Sequence, residues 1–240
     1  MMEKLDIKQL NRKFANEHPK EIIEFAMKQW GQKNTVLASS MSIEDQVLTD
    51  LIIRQNPLAR IFFIDTGRHF EETYQLLEET MHKYSIKYEV YVPQSQQLEA
   101  ILSDCGPNFF YDSVEARKQC CHIRKVEPLK RVLSTADAWI CGLRKSQSLT
   151  RENINIFEWD ATHKMYKVNP LAHWSEEAVW EYILDRQVPY NQLYSKNFPS
   201  IGCRPCTRAI EPEEDVRSGR WWWEEPEKKE CGLHIRMEES

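Results

Sequence analysis

The sequence has no long apolar run, no surplus of basic charge, no internal repeat and no low-complexity segment. No apolar stretch approaches the length that crosses a membrane. Residues 1–10 alternate charged and apolar side chains and lack the apolar core of a secretion signal. The formal net charge is −5, whereas proteins that bind nucleic acid or membrane surfaces generally need a basic face. These absences predict a cytoplasmic protein that binds no nucleic acid and no membrane, while a few local cations would still suffice for a small anionic ligand.

The chain does contain seven cysteines. Because cytosolic thiols stay reduced, they indicate metal binding or catalysis rather than a disulfide framework. Cys203 and Cys206 form a C-x-x-C motif, and Cys120 and Cys121 form a tandem pair. Four thiolates suit an iron–sulfur cubane, and a structural zinc site is the alternative. Lys125, close behind the tandem pair, is either a favourable cation beside an anionic cluster or an ordinary solvated charge.

The remaining cysteines differ in their surroundings. Cys231 is followed by Gly232 and, three residues on, by His234. A lone cysteine near a chain end is either inert or a nucleophile, and a charged imidazole nearby would favour its thiolate. Cys105 and Cys141 are interpreted as structural, and Cys141 lies inside a predicted strand, where buried free cysteines are common.

The apolar patterns predict alternating strands and helices in one large α/β domain. Strands are predicted at residues 35–39, 60–65, 88–92 and 138–142, and helices at 19–30, 44–54, 71–84, 98–104, 126–133 and 175–187. This alternation favours a mostly parallel sheet with right-handed crossovers. We predict an α/β domain over residues 1–210 and a charged tail over residues 211–240 that folds back over the site.

Polar segments follow three of the predicted strands, at residues 39–45, 65–70 and 143–151. Ligands of open parallel sheets bind at the carboxyl ends of the strands, so these segments should meet at one edge. Hydroxyl side chains and backbone N–H groups before a helix can cradle an anion. For the first segment, a serine cap of the following helix is the alternative.

Several motifs together resemble a known family. They are Cys120-Cys121-His-Ile-Arg-Lys125, Gly202-Cys203-Arg-Pro-Cys206, Arg217-Ser-Gly-Arg220-Trp-Trp-Trp-Glu224 and Lys229-Glu-Cys231-Gly-Leu-His234. In this order they resemble the assimilatory adenylyl-sulfate (APS) reductases of the phosphoadenylyl-sulfate/adenylyl-sulfate reductase family. The match runs from about Ser39 to His234, so it covers most of the chain.

The resemblance implies a fold, a cofactor and a reaction. The fold is adenine-nucleotide alpha-hydrolase-like (Rossmann-like), and the cofactor is a [4Fe–4S] cluster on the four paired cysteines. Cys231 matches the nucleophile that takes the sulfo group from adenosine 5′-phosphosulfate, which releases AMP and leaves an S-sulfocysteine. Thioredoxin or a similar dithiol protein then releases sulfite for cysteine biosynthesis. The oligomeric state stays open, a homo-oligomer included.

The resemblance also assigns substrate-binding residues. They belong to three loops and to the cationic surroundings of the sulfate: Ser39, Ser40, Ser42, Glu44, Asp45, Asp65, Thr66, Gly67, Lys125, Gly142, Arg144, Arg151, Arg217, Arg220 and His234. A helical turn would present Arg217 and Arg220 on one face, where guanidinium groups can bind oxyanions in a bidentate way. The alternative for this pair is a solvated basic patch.

One departure from the family and three competing interpretations remain. Met41 and Ser42 stand where relatives commonly have an aromatic residue and a glycine, which matters if the glycine has a positive φ. One competitor is a reductase of 3′-phosphoadenylyl sulfate (PAPS) or of both substrates, although relatives specialised for PAPS usually lack the cluster cysteines. A second is an ATP-activating enzyme, which the absence of glycine between Ser40 and Ile43 disfavours. The third is a non-enzymatic zinc or redox-sensor protein.

Overall fold

The computed structural model describes residues 5–147 and 153–225, and its central feature is a six-stranded sheet. The strands occur in the order β3-β2-β1-β4-β6-β5. All neighbouring strands are parallel except β5, which runs antiparallel to β6. Their bounds are β1 Thr35–Ser39, β2 Arg60–Ile64, β3 Glu89–Tyr91, β4 Ala138–Ile140, β5 Phe157–Asp160 and β6 Met165–Val168. The predicted α/β class is therefore confirmed.

Helices flank the sheet, and serine hydroxyls cap several of them. Ser42, Ser113 and Ser175 each accept a hydrogen bond from a backbone N–H in the first turn of the helix that follows. The helices are α1 Ile7–Phe14, α2 Pro19–Trp30, α3 Ile43–Gln55, α4 Glu71–Tyr84, α5 Ser95–Cys105, α6 Val114–Cys121, α7 Glu127–Leu133 and α8 Glu176–Arg186. A π-helical turn, His122–Val126, joins α6 to α7. No helix in the described ranges combines the length and the apolar character needed to cross a bilayer.

The central strands β2 and β4 are buried in the hydrophobic core, which fixes their positions. Ile61, Phe62 and Phe63 of β2 are all buried, as expected for a strand covered on both faces. The three residues of β4 are buried as well. One large hydrophobic cluster joins these strands to α2, α3 and α7, and so holds the carboxyl ends of β1, β2 and β4 in fixed relative positions.

Four elements are absent from the sequence-based prediction. Helices α1 and α6 are short and polar on average, and the β5–β6 hairpin consists of two strands of four residues each. Residues 189–199, predicted as loop, contain the 3-10 turn Gln192–Lys196. In each case tertiary packing stabilises a segment whose own periodicity is too short to indicate it.

The sheet topology determines where a ligand can bind. The chain proceeds outwards from β1 through β2 to β3, then returns to the other side of β1 for β4. The switch point between β1 and β4 is where open α/β sheets leave a crevice. The segments after β1, β2 and β4 lie at this edge.

Candidate active site

A cleft with a volume of about 260 Å³ opens beyond the carboxyl ends of β1, β2 and β4. Residues from all three predicted loops line it, so the prediction that these loops meet is confirmed for the described part of the chain. From the predicted site, the lining residues are Ser39, Ser40, Ser42, Glu44, Asp45, Thr66, Lys125, Gly142, Arg144, Arg217 and Arg220. The described part of the tail, residues 211–225, thus reaches the same cleft through its two arginines.

The first loop is organised by a buried carboxylate. Asp45 accepts hydrogen bonds from the backbone N–H and the hydroxyl of Ser40, each at 2.7 Å. Burial raises the pKa of Asp45 to about 6, although the hydrogen bonds from Ser40 oppose this shift. Gly142 permits the arrangement, because a Cβ atom there would lie 2.5 Å from Asp45 Oδ1. Gly142 therefore acts by leaving space for the Asp45 side chain.

The unusual Met41-Ser42 pair is accommodated without strain at Ser42. The φ angle of Ser42 is −72°, and its hydroxyl accepts from the Asp45 N–H at 3.3 Å. Met41 instead has a positive φ of 65°, and its side chain is buried. Ser42 therefore serves as the cap of α3, and the left-handed backbone position lies one residue earlier.

Arg144 is buried, and acidic groups compensate its charge. Its Nε donates to Glu44 Oε1 at 2.9 Å, and the Glu176 carboxylate lies 3.7 Å from Nη2. Gln147 also donates to Glu44 Oε1, at 2.8 Å. Glu44 and Arg144 thus form a polar wall of the cleft whose groups are already paired.

A second group of charges in the cleft is cationic. Lys125, Arg217 and Arg220 all line it. The backbone N–H of Arg220 donates to the Arg217 carbonyl at 2.9 Å, which closes a turn outside any helix, where a helical turn was expected. Arg220 is 8% exposed, so it is not a solvated surface charge. Its Nε has no hydrogen-bond partner among the described residues, which suits it to an oxyanion of a ligand.

Gly202 makes room for that guanidinium group. A Cβ atom at Gly202 would overlap both Nη2 and Cζ of Arg220. The other side of Arg220 lies over the Trp221 ring, with Cζ 4.7 Å from the ring centroid. Arg220 is therefore held between a glycine backbone and an indole face.

In the second loop, residues 65–70, some residues line the cleft and others stabilise the loop. Asp65 accepts from the Gly67 N–H and from the Tyr74 hydroxyl, each at 2.7 Å, and Gly67 has a φ of 69°. Within the described ranges, Asp65 and Gly67 are not among the residues that line the cleft. Thr66 lines it, and its hydroxyl lies 3.3 Å from Cys203 Sγ.

His69 is a cleft residue that sequence reasoning did not assign, although it lies inside the second loop. Its Nε2 is 3.1 Å from the Ile64 carbonyl, which requires that nitrogen to donate. Burial lowers the pKa of His69 to about 4, and the nearby Lys125 and Arg220 act in the same direction. The imidazole is therefore neutral near pH 7.

The four paired cysteines line one small cavity of about 20 Å³. Cys120 and Cys121 end α6, whereas Cys203 directly precedes the 3-10 turn Arg204–Cys206 and Cys206 ends it. Four cationic side chains line the same cavity: Arg68, Arg117, Arg124 and Lys125. Positive charge therefore surrounds the thiols, whose sulfur is a metal ligand only as the thiolate.

The thiols differ in their proton affinity. Burial would raise the pKa of Cys203, but Lys125, the Thr66 hydroxyl and Arg220 together lower it below its usual value. Burial raises the pKa of Cys206 to about 12. Of these two thiols, Cys203 therefore loses its proton more readily.

The residues present fit a four-thiolate cluster in donor type, donor number and charge. The buried Trp221 Nε1 packs beside this cavity without a hydrogen-bond partner in the described ranges, so an acceptor such as a cluster sulfur would satisfy it. In residues 5–147 and 153–225, no three His, Cys, Asp or Glu side chains are arranged to hold a single metal ion.

Lys125 connects the two sites, since it lines both the cleft and the cysteine cavity.

The remaining cysteines lie in different places. Cys141 lines the cleft beyond β4, where burial raises the pKa of its thiol, and Cys105 is exposed. The predicted nucleophile Cys231, together with His234 and Arg151, lies outside the described residues.

Comparison with known proteins identifies the family of this chain. Residues 34–209 match the family model for the phosphoadenosine phosphosulfate reductase domain. The chain is 51% identical over 201 residues to the adenosine 5′-phosphosulfate reductase of Allochromatium vinosum, covering 84% of this chain and 78% of that protein. It is 48% identical over 198 residues to the enzyme of the same name from Neisseria meningitidis serogroup B, covering 82% and 80%.

Solved structures of other proteins have the same fold as this chain. The phosphoadenylyl-sulfate (PAPS) reductase of Candida auris, crystallised with phosphate, superimposes with a TM-score of 0.74 at 25% identity, over 88% of this chain and 98% of that one. The FMN adenylyltransferase of Candida glabrata, at 19% identity and a TM-score of 0.57 over 92% of this chain and 75% of that one, shares the fold alone. The chain belongs to the family of phosphoadenosine phosphosulfate and adenosine 5′-phosphosulfate reductases.

Proposed function

We propose that this chain reduces adenosine 5′-phosphosulfate to sulfite and AMP, with Cys231 as the sulfo-accepting nucleophile. One observation carries the proposal: the nucleotide-type loops and the cations Lys125, Arg217 and Arg220 share one cleft, and Lys125 also borders the four-cysteine cavity. The names of the similar bacterial proteins support the same substrate.

In the first step, the Cys231 thiolate attacks the sulfate sulfur of the substrate. A sulfur–sulfur bond forms as the bond from sulfur to the bridging oxygen breaks, and the electron pair leaves with the phosphate of AMP. The cations lining the cleft would neutralise charge on the sulfate and phosphate oxygens. Arg220 supports this role, because it is buried and its Nε lacks a partner among the described residues.

In the second step, a thioredoxin-type dithiol supplies two electrons. Its thiolate attacks the Cys231 sulfur, and sulfite departs with the bonding pair. The second thiol of the partner then resolves the mixed disulfide, which restores the Cys231 thiolate and leaves the partner oxidised.

We assign Cys120, Cys121, Cys203 and Cys206 as the ligands of a [4Fe–4S] cluster. When bound, the cluster would supply a compact anionic centre beside the cleft. Lys125 would offset part of that charge and would orient the sulfate from the same position. Arg68 and Arg124, which line the same cavity, would add further positive charge.

The preferred substrate is the one without a 3′-phosphate. The four cysteines favour it, because relatives specialised for PAPS usually lack them. Use of PAPS, or of both substrates, is the alternative.

The test is a single-turnover labelling experiment on protein purified without oxygen. Iron and acid-labile sulfide are measured, and APS labelled in its sulfate is then added without reductant. We expect about four irons and four sulfides per chain, label retained on Cys231, and its release as sulfite by a dithiol. Zinc in place of iron with no label transferred would contradict the proposal, and transfer from PAPS alone would reassign the substrate.

A further inference from the structure

A buried ion pair joins the helix of the tandem cysteines to the start of the tail. Arg117 Nε donates to Glu224 Oε1 at 2.9 Å, and Arg117 Nη2 donates to Glu224 Oε2 at 2.7 Å. The two side chains are only 1% and 2% exposed. Arg117 lies one helical turn before Cys121, and both side chains line the four-cysteine cavity. One guanidinium group therefore borders the candidate cluster ligands and also binds the tail.

The geometry of this pair is specific. A bidentate arginine–carboxylate contact fixes both the distance and the relative orientation of its partners. The free energy of desolvating two charges offsets much of their electrostatic attraction, so a buried ion pair adds little net stability. Removing one partner nevertheless destabilises the protein, because the other charge stays buried and unpaired. The contact is therefore better suited to holding a segment in one position than to adding net stability.

Further contacts hold the tail at the same place. Two guanidinium groups lie over the Trp221 ring, with the Cζ atoms of Arg117 and Arg220 each 4.7 Å from its centroid. The backbone N–H of Trp221 donates to the Cys206 carbonyl at 3.1 Å, and the backbone N–H of Glu224 donates to the Trp221 carbonyl at 2.8 Å. Trp221 also has a φ of 42°, a conformation that a bulky residue adopts only where its surroundings hold it there.

The position of this attachment along the chain matters. Cys231 follows Glu224 by seven residues. An extended chain of that length reaches at most about 25 Å. Holding Glu224 therefore confines the Cys231 thiol to a limited volume, which raises its effective concentration at the cleft.

We propose that Arg117 and Glu224 are positioning residues that fasten the tail to the cysteine helix, so that the Cys231 thiol is delivered to the cleft. This inference rests on the proposed function, since it assigns no chemistry to the pair itself. Arg117 and Glu224 act by holding the start of the segment that leads from Trp221 to Cys231.

The test compares Glu224→Gln with Glu214→Gln. Glu214 belongs to the same segment and forms a bidentate pair with Arg208, but those side chains are 30% and 39% exposed. Three quantities are measured for each variant and for the unmodified chain. They are the iron and sulfide content, the affinity for AMP, and the rate at which labelled sulfate transfers from APS to Cys231. Amide hydrogen exchange over residues 217–225 reports on the attachment independently of activity.

We expect Glu224→Gln to keep its iron and its AMP affinity, to exchange these amides faster, and to accept label at least about tenfold more slowly. Glu214→Gln should transfer label at the unmodified rate. Label transfer and exchange in Glu224→Gln equal to those of the unmodified chain would overturn the inference. If Glu224→Gln loses its iron, the same measurements are made on the double variant Arg117→Gln/Glu224→Gln. The double variant leaves no unpaired buried charge, so its rate of label transfer tests the inference. Failure of the unmodified chain to accept label would instead contradict the proposed function.

Discussion

At the scale of single residues, Asp45 and Gly142 shape the cleft through one close contact. The Asp45 carboxyl is buried and holds the Ser40 backbone in place. Gly142 contributes by having no side chain at the point where Oδ1 of Asp45 passes. Each residue is therefore best tested by a small change that leaves the fold intact.

Gly142→Ala should weaken nucleotide binding. The added Cβ would lie 2.5 Å from Asp45 Oδ1 and 2.9 Å from Glu44 Cβ, so both acidic side chains must shift. We expect about 1–3 kcal/mol of lost stability and a clear loss of AMP affinity, measured by urea unfolding and by calorimetry. Affinity equal to that of the unmodified chain would show that the loop tolerates the shift.

The pH dependence of stability should reveal the buried Asp45 carboxyl. Its pKa is raised from 3.8 to about 6, so the folded state holds this proton more tightly than the unfolded state does. The stabilising contribution is complete below pH 3.8 and is lost as the pH rises through about 6.

Relative to Asp45→Asn, the unmodified chain should therefore lose about 3 kcal/mol between these limits. Urea unfolding of both proteins at a series of pH values measures the difference. A difference that does not change with pH would mean that Asp45 titrates normally.

At the scale of elements, two separate segments must come together to form the cysteine site. Helix α6 and its π-helical continuation present Cys120 and Cys121, while the turn Arg204–Cys206 brings Cys203 and Cys206. The backbone N–H of Arg204 donates to the Arg68 carbonyl at 2.8 Å, which ties that turn to the second loop. The cavity therefore depends equally on both segments.

Cys120→Ser and Cys206→Ser should each remove most of the bound iron, although they lie on different elements. Loss of one thiolate weakens a cubane held by four cysteines, and a serine hydroxyl is a much poorer donor to iron. Iron, labile sulfide and visible absorbance of anaerobically purified protein give the result. Cys105→Ser is the matched control, because Cys105 is exposed and does not line the cysteine cavity. Iron retained in both motif variants would exclude the assigned ligands.

At the scale of the whole molecule, the cleft combines groups that are far apart in sequence. The loop after β1, the π-helical turn and the tail supply Ser40, Lys125 and Arg220 to one volume. The proposed function thereby divides binding and chemistry between the α/β sheet edge and the C-terminal segment. Removing the proposed nucleophile should separate these two functions.

Cys231→Ser should bind AMP and retain iron at the level of the unmodified chain. It should form no sulfo-enzyme and produce no sulfite, because a serine hydroxyl is a far weaker nucleophile than a thiolate at neutral pH. Calorimetry, iron analysis and mass spectrometry after incubation with APS measure the three properties. Sulfite production by this variant would require another nucleophile.

The sequence predicted the parts of this molecule that local pattern controls. The apolar run of β2 and the serine caps of α3 and α8 lie where expected, since burial and capping act over a few residues. The meeting of three polar loops also followed from topology, because parallel strands share one carboxyl edge. The motifs alone indicated the family.

Other features escaped prediction because they depend on contacts between distant residues. The Arg117–Glu224 pair spans 107 positions. Nothing in either local sequence distinguishes its members from solvated charges. His69 was within a recognised motif, but only its burial beside Lys125 makes it a neutral cleft residue. Gly202 likewise acquires its role from Arg220, which packs on it from the tail.

The sequence by itself determined the α/β class, the cysteine pairs and the family, because each depends on composition, spacing or order along the chain. Only the tertiary structure decided which charges are paired, which are buried, and how the tail is attached. These properties depend on desolvation and on distances between segments, which no local pattern encodes.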